Sequence, residues 1–169
     1  YIKNKLAIQN SNISIDQISH ALDLTRPEDT TKQEQKILKG IVNFGNIETK
    51  EIMHSRIDIF ALDGKLKSEE VLKSITTTNY SRIPVFDENL DRIIGILHIK
   101  DLLPFLDKKE FQWKELLREP LFIPENKKLD DLMLEFQEKK VHLAIVVDEY
   151  GGTSGLVSLE DVIEEIVGD

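Results

Sequence analysis

A hydroxyl and a carboxylate stand three residues apart near the end of the sequence, in the stretch DEYGGTSGLVSLED (148–161). The two adjacent glycines predict a turn, the apolar residues after them predict a short strand, and Ser158 follows where that strand ends. Asp161 then falls in the first turn of a predicted helix. Both side chains can hydrogen-bond a sugar, and N–H groups at a helix start favour phosphate. Alternatively, Ser158 only caps the helix and Asp161 stabilises its positive end.

The composition limits which ligands are available. The 169 residues are 40% hydrophobic and 31% charged, as in a globular protein of one domain or two very small ones. The net charge of −9 argues against non-specific nucleic-acid binding, so a polyanionic ligand needs a local basic cluster or an accompanying cation. The sequence has no cysteine and no apolar run as long as the roughly 18 residues of a membrane span. We expect a soluble piece of a longer protein.

Catalysis is the weaker interpretation of the carboxylates and histidines. The four histidines are scattered along the chain, and neither an HxxxH nor an HExxH spacing occurs. A glycine-rich Walker loop is also absent, so a bound nucleotide would be a signal rather than a fuel. We therefore expect that the protein is not an enzyme.

An internal repeat positions the candidate residues. Residues 56–106 and 118–167 each predict a strand, an amphipathic helix, a strand, a turn, another strand and a helix. Neither half can bury both faces of its sheet alone, so the two should pack into one α/β (α+β) body. The aligned pairs are RIPVFDE (82–88) with LAIVVDE (143–149), Gly95 with Gly155, and Asp101 with Asp161.

Two other kinds of segment flank the repeats. ISIDQISHALDL (13–24) and KQEQKILKGIVNFG (32–45) predict helices in a polar lead-in, and the second should end at Gly45. Residues 104–117 connect the two halves, with Trp113 as a packing anchor. The predicted units are a helical lead-in (1–50), a first domain (51–110) and a second domain (111–169).

The repeat resembles the cystathionine β-synthase (CBS) domain, which occurs in tandem pairs that form a disc with two-fold pseudosymmetry. The resemblance covers residues 51–169. Segments 51–60, 79–106 and 142–169 look like the CorC/HlyC family of hemolysin-like magnesium and cobalt efflux proteins, which is related to the CNNM transporters. The upstream segment 37–53 is similar to that family's linker from its membrane domain, and NISIDQISHALDLT (12–25) resembles the gliding-motility-associated branch.

The resemblance implies a regulatory module at the cytoplasmic face of the bacterial inner membrane. In that family the CBS pair lies between an N-terminal membrane domain and a C-terminal transporter-associated domain, and it binds ATP, commonly with magnesium. We therefore expect Mg-ATP binding, and homodimers formed through the discs, in a membrane-anchored Mg/Co transport or efflux protein. The alternative is a ligand-free module that dimerises and couples the flanking domains. No nucleic-acid partner is expected.

The resemblance also implies that both halves build the nucleotide site. Ser158 and Asp161 have the spacing that CBS domains use for ribose. The segment that enters the middle strand of the first half should face them, with Arg82 toward phosphate because its planar fork suits phosphate oxygens. Magnesium should be held through the nucleotide phosphates, with Glu160 as the candidate protein ligand.

The adenine contacts are expected from both halves. Ile83 and Val157 should sandwich the ring, with Tyr80 at its edge, while backbone groups at Ile57 and Asp58 read its amino group. The family often has Thr-Pro-Arg after Glu-Ile-Met, where this sequence has His54-Ser55-Arg56, which leaves a phosphate contact from that loop open. The expected nucleotide-binding residues are Ile57, Asp58, Tyr80, Ser81, Arg82, Ile83, Pro84, Val157, Ser158 and Asp161.

The first repeat departs from this pattern. It has His98 where the second has Ser158, although Asp101 remains, and an imidazole is bulkier than a hydroxyl. We expect the imidazole to fill the equivalent cleft, so that one nucleotide binds per pair. That nucleotide should clamp Arg82 toward the second half, change the angle between discs and move the lead-in helices.

Overall fold

The computed structural model describes residues 31–168 and contains two similar α/β halves. The predicted helix at 13–24 and the segment 12–25 lie outside the described residues. Within 31–168, no helix is long and apolar enough to cross a membrane. The helices are α1 (Lys32–Phe44), α2 (Thr49–Ile52), α3 (Ser68–Ile75), α4 (Leu129–Lys139) and α5 (Leu159–Val167). The strands are β1 (His54–Ser55), β2 (Leu62–Asp63), β3 (Arg82–Asp87), β4 (Asn89–His98), β5 (Leu121–Pro124), β6 (Leu143–Val147) and β7 (Thr153–Ser158).

The two sheets repeat one pairing pattern. In the first half β3 pairs in parallel with β2 and antiparallel with β4, and in the second half β6 pairs in the same way with β5 and β7. Arg82 lies opposite His98 in the first sheet, and Leu143 lies opposite Ser158 in the second. His98 and Ser158 therefore occupy equivalent positions, as the alignment of the repeats predicts.

Each sheet is extended by chain that precedes the other half. Strand β1, which leads into the first half, pairs antiparallel with β7 and places His54 opposite Leu156. Arg118, which leads into the second half, forms an antiparallel bridge with Ile96 of β4. Because Ile96 and Leu156 are equivalent in the repeat, His54 and Arg118 are equivalent as well.

Three clusters of buried apolar side chains form the core. One contains Trp113 and belongs to the first half, and a second contains Phe136 and belongs to the second half. The third lies between the sheets and joins Ile96 to Ile145. Trp113 is 3% exposed and donates from Nε1 to the carbonyl oxygen of Leu66 at 2.8 Å, which confirms its predicted packing role.

Two predicted elements of the first half differ from the structure. The strand predicted at the start of the first repeat (56–106) is reduced to β2, and Arg56–Asp58 forms a 3₁₀ helix instead. The reason is that β1 belongs to the second sheet, so the chain must cross to the first sheet within this segment. The closing helix is a 3₁₀ helix at Ile99–Phe105, where Pro104 removes one backbone donor. A third 3₁₀ helix spans Trp113–Leu116 in the connector.

Helix α1 follows the prediction for 32–45, including the end at Gly45. Thr31 accepts a hydrogen bond from the backbone N–H of Glu34 at 3.2 Å, and Glu34 accepts one from the backbone N–H of Thr31 at 2.7 Å, which forms a capping box. The helix packs against α5 so closely that a Cβ on Gly40 would lie 2.4 Å from the carbonyl oxygen of Ile166. The lead-in therefore packs directly against α5, which has Ser158 as its N-cap and Asp161 in its first turn.

Candidate functional site

A cleft of about 350 Å³ opens between the two halves beside the first turn of α5. This volume falls in the range of small-molecule sites, roughly 300–1,000 Å³. Side chains from β3 and from the segment before it form one wall, and β1, β7 and α5 form the other. Its walls include Asp58, Tyr80, Ser81, Arg82, Pro84, Ser158 and Asp161 from the predicted set, together with Glu160.

Ser158 and Asp161 form a closed set of hydrogen bonds at the start of α5. The Ser158 hydroxyl donates to Oδ2 of Asp161 at 2.7 Å and accepts from the Asp161 backbone N–H at 3.1 Å. The Ser158 backbone N–H donates to the same Oδ2 at 2.8 Å. The capping role considered from sequence is thus present, while both side chains also face the cleft.

His54 is a site residue that the sequence reasoning did not assign. Its Nε2 lies 3.0 Å from Oδ1 of Asp161, so Ser158 and His54 each contact one oxygen of the carboxylate. In the sequence, the only indication of this role was that His54 stands in the loop where the family often has threonine. His54 reaches the cleft because β1 pairs with β7, and a two-residue strand carries too little pattern to predict that pairing.

Arg82 extends across the cleft from β3 to the second half. Its Nη2 donates to Nδ1 of His142 at 3.0 Å, and its Nη1 lies 3.9 Å from a carboxylate oxygen of Glu160. Its Nε is buried and has no hydrogen-bond partner among the described residues. Buried donors in proteins are nearly always paired, so this Nε is an exception that only a movement of the guanidinium could bring to a ligand oxygen.

The predicted sandwich of adenine between Ile83 and Val157 is wrong. Both side chains are 0% exposed, Ile83 in the core of the first half and Val157 in the core of the second. Side chains alternate between the two faces of a strand, so the neighbouring positions face the cleft instead. Those neighbours are Pro84 and Leu156, and both line it.

The apolar part of the cleft extends beyond these two residues. The rings of Phe60 and Tyr80 stack with their centroids 6.3 Å apart, and both line the cleft. Asp58 lies in the wall, whereas the side chain of Ile57 is 89% exposed and outside it. Only the backbone of Ile57 was expected to contact adenine, and that remains a prediction.

The equivalent cleft of the first half is smaller, at about 130 Å³. His98 lies in its wall, and burial, with smaller contributions from Arg118 and Arg82, lowers the pKa of this imidazole to about 4. Arg118 donates to both carboxylate oxygens of Asp101 at 3.0 Å, so this pair is the counterpart of His54 and Asp161. The smaller cleft therefore lacks two features that suit the larger cleft to a sugar. It has His98 in place of the Ser158 hydroxyl, and the equivalent aspartate is held in an ion pair with Arg118.

The described residues contain no group of three or more histidine, aspartate or glutamate side chains arranged to hold a metal ion. Glu160, the candidate protein ligand to magnesium, instead lies beside Arg82. A cation at this site would therefore depend on oxygen ligands from a bound molecule.

A scan against protein-family models matches the CBS domain at residues 50–108 and again at 113–168. Both repeats of this chain are thus CBS domains, arranged as a tandem pair. The chain belongs to the CBS domain family and, within it, to the CorC/HlyC group, as the following relatives show.

Two curated proteins illustrate the relationship. Hemolysin C of Brachyspira hyodysenteriae is 40% identical over 139 residues, which are 82% of this chain and 52% of that protein. The magnesium and cobalt efflux protein CorC of Escherichia coli (strain K12) is 39% identical over 135 residues, which are 79% of this chain and 46% of that protein. The chain therefore spans about half the length of the curated relatives it matches.

Two solved structures share the fold. The CBS domain of the bacterial CNNM/CorC family Mg²⁺ transporter in complex with ATP has a TM-score of 0.77 and 39% identity, over 81% of this chain and 99% of the other. A CBS-domain pair with bound AMP from Klebsiella pneumoniae has a TM-score of 0.65 and 32% identity, over 72% of this chain and 99% of the other.

Proposed function

We propose that the larger cleft binds an adenine nucleotide, with Mg²⁺ carried on its phosphates, and that the pair regulates a divalent-cation transport or efflux protein. The observation that carries this proposal is the convergence of Ser158 and Asp161 with Arg82 from the opposite half around one cleft. The similar structures solved with ATP and with AMP support the ligand class. A binding module, rather than an enzyme, accounts for these features.

The chemistry of the cleft fits the parts of a nucleotide. Phe60, Tyr80 and Leu156 offer apolar surface for a base. Oδ2 of Asp161 already accepts two hydrogen bonds from Ser158, whereas Oδ1 contacts only His54 among the described residues and can accept a ribose hydroxyl at its second acceptor site. Arg82 and the first turn of α5 suit phosphate. Magnesium on the phosphates would offset their repulsion by the acidic side chains at the start of α5.

We propose that α5 transmits the bound state to the rest of the parent protein. Its first turn carries Asp161, and its last turn packs against Gly40 of α1. A ligand that favours one position of α5 would shift α1 toward or away from a membrane domain. A homodimer formed through the discs, and a C-terminal domain beyond residue 169, complete the proposed assembly at the cytoplasmic face of the inner membrane. Small-angle scattering that is identical with and without Mg-ATP would remove the basis for this step.

Calorimetric titration with ATP, ADP and AMP, each with and without magnesium, tests the binding proposal. We expect one ATP per chain and tighter binding with magnesium. Asp161→Asn should weaken the affinity at least about tenfold, since a charged acceptor for the sugar is lost. The same titrations decide which nucleotide is preferred.

A matched capping variant separates ligand binding from helix capping. Ser158→Ala and Thr31→Ala each remove an N-cap hydroxyl and should each cost about 1 kcal/mol of stability, but only Ser158 lines the cleft. Nucleotide affinity should therefore fall in Ser158→Ala and stay unchanged in Thr31→Ala. No heat with any nucleotide would favour the alternative, a ligand-free module that dimerises and couples its neighbouring domains.

A further inference from the structure

The smaller cleft concentrates positive charge in a chain that is acidic overall. Four permanent cations line it, whereas the chain as a whole has a net charge of −9. The only acidic side chain among its lining residues is Glu119. The four cations are Arg82, Lys100, Arg118 and Lys140.

These cations come from separate elements, so the cleft is assembled by the fold rather than by one basic run of sequence. Arg82 lies on β3 directly opposite His98 on β4, and Arg118 is held beside β4 by its backbone bridge to Ile96. Lys100 follows β4 in the next 3₁₀ helix, and Lys140 ends α4. Five segments of chain therefore meet around a small positively charged space.

The protein neutralises part of this charge. Arg118 is paired with Asp101, and Arg82 lies 3.9 Å from Glu160, but neither Lys100 nor Lys140 has an ion pair among residues 31–168. The Nε of Arg82 is buried and has no hydrogen-bond partner within the described part of the chain. The effect of the cations is visible at His98, where Arg118, Arg82 and Lys100 add to burial in lowering the pKa of the imidazole to about 4. Uncompensated like charges at close quarters favour binding of an anion.

We propose that the smaller cleft is a binding site for a small inorganic oxyanion of the phosphate class. Its volume of about 130 Å³ is below the roughly 300–1,000 Å³ of most small-molecule sites, so it suits a phosphate or a pyrophosphate group better than a nucleoside. Lys100 and Lys140 supply donors to its oxygens, and Arg82 adds a third positive charge in the wall. This site is separate from the proposed nucleotide cleft, although Arg82 and His142 line both.

Because Arg82 and His142 line both clefts, binding in one cleft can change the affinity of the other. The guanidinium of Arg82 cannot turn fully toward both clefts at once, because it reaches His142 and Glu160 through its Nη atoms. An oxyanion in the smaller cleft would draw Arg82 from the larger one. Linkage then requires that a ligand in the larger cleft weakens oxyanion binding by the same factor.

The test is a titration of the ¹⁵N-labelled protein with inorganic phosphate, and separately with pyrophosphate, at constant ionic strength, followed by NMR. We expect saturable shifts of the backbone amides of Arg82, His98 and His142. The double variant Lys100→Gln/Lys140→Gln should raise the apparent Kd at least about tenfold, since two charged donors are lost. The control double variant Lys65→Gln/Lys109→Gln removes two exposed lysines that line neither cleft, and its Kd should stay within about twofold of the original.

Asp161→Asn distinguishes this site from the nucleotide site. It should leave the phosphate titration unchanged, because Asp161 lines only the larger cleft. Loss of the phosphate shifts in Asp161→Asn, equal weakening in both lysine variants, or shifts that do not saturate would each overturn the proposal. Failure of ATP to bind, with saturable phosphate binding retained, would refute the proposed nucleotide site and leave the oxyanion site standing.

Discussion

At the scale of single residues, the two halves use one position for different chemistry. Asp161 is contacted at Oδ2 by the hydroxyl and the backbone N–H of Ser158 and at Oδ1 by the imidazole of His54, and its carboxylate lines the larger cleft. Asp101, its equivalent, is held by both arms of the Arg118 fork in a bidentate ion pair and does not line the smaller cleft. The replacement of Ser158 by His98 adds bulk in the same place. The repeat therefore keeps the fold in both halves while it changes the ligand that each can take.

The first prediction concerns the titration of His98. Its pKa of about 4 in the folded protein lies below 6.5, the ordinary value, which we take for the unfolded chain. Between these values the unfolded chain binds a proton that the folded protein does not, so stability falls as the pH drops from about 6.5 to 4. Because His98 is partly exposed, solvent screening reduces the effect to about 1 kcal/mol.

Urea unfolding of the original protein and of His98→Gln at pH 7 and pH 4.5 measures this effect. The glutamine variant should lose about 1 kcal/mol less than the original protein on acidification, because it lacks the titrating group. NMR titration of the imidazole in a phosphate-free buffer gives the pKa directly. A midpoint at or above 6.5 would contradict the structural explanation.

The error over Ile83 and Val157 shows which part of the site the sequence could not decide. The repeat and the Ser158–Asp161 spacing pointed to β3, to β7 and to the end of α5 that lines the larger cleft. Both faces of β3 and β7 carry apolar residues, however, so hydrophobicity alone does not say which face is core. Pro84 and Leu156, which line the cleft, look as suitable for a core as their neighbours do.

At the scale of elements, the position of His54 depends on how closely β1 approaches β7. A Cβ on Gly155 would lie 2.2 Å from the carbonyl oxygen of His54, so only glycine permits this pairing. At the equivalent Gly95 a Cβ would lie 2.7 Å from the Cβ of Leu117 and 3.3 Å from the carbonyl oxygen of Arg118. The aligned glycines thus serve the same purpose, which is the entry of a strand from the other half, but the contact at Gly155 is tighter.

We predict that Gly155→Ala destabilises the protein by about 3 kcal/mol and Gly95→Ala by about 1–2 kcal/mol, because both overpack a close contact. Gly155→Ala must push the backbone of His54 away and should also change the chemical shifts of that imidazole. The two variants add the same atom at equivalent positions, so each controls for the other in urea unfolding. If Gly155→Ala lost no more unfolding free energy than Gly95→Ala, β1 could move away from β7 at little cost, and the prediction would be wrong.

Some elements could be predicted from the sequence and others could not, for a physical reason. Helix α1 has a capping residue, an amphipathic stretch and a glycine end, and it was predicted nearly to the residue. Strand β1 has two residues and gains its stability from a partner about a hundred positions later in the chain. The 3₁₀ helix at Arg56–Asp58 follows from that distant pairing, so local propensity indicated a strand instead.

At the scale of the whole molecule, the two halves are interlocked rather than merely adjacent. Each sheet ends in chain from before the other half, and the cluster that joins Ile96 to Ile145 lies between them. The connector residue Trp113 packs in the first core, although it stands beyond the predicted boundary of the first domain at residue 110. The predicted units 51–110 and 111–169 are therefore segments of sequence that we propose fold together.

The last prediction tests this cooperativity with a reporter and a perturbation placed in opposite halves. Trp113 is the only tryptophan of the chain and lies in the first core, whereas Ile123 is 1% exposed in the second core. Ile123→Ala should cost about 3 kcal/mol by leaving a cavity. If the halves unfold as one unit, Trp113 fluorescence and far-ultraviolet circular dichroism should shift to the same lower urea midpoint, with an unchanged slope.

Val71→Ala, a smaller deletion in the first core, serves as the matched control, because it should move both signals whether or not the halves are coupled. In Ile123→Ala, a Trp113 transition that stays in place while the dichroism splits into two steps would mean that the halves unfold independently. A shared transition has a consequence for regulation. A ligand bound between interlocked halves stabilises the entire pair by RT ln(1 + [L]/Kd), so nucleotide and phosphate should each raise the single midpoint.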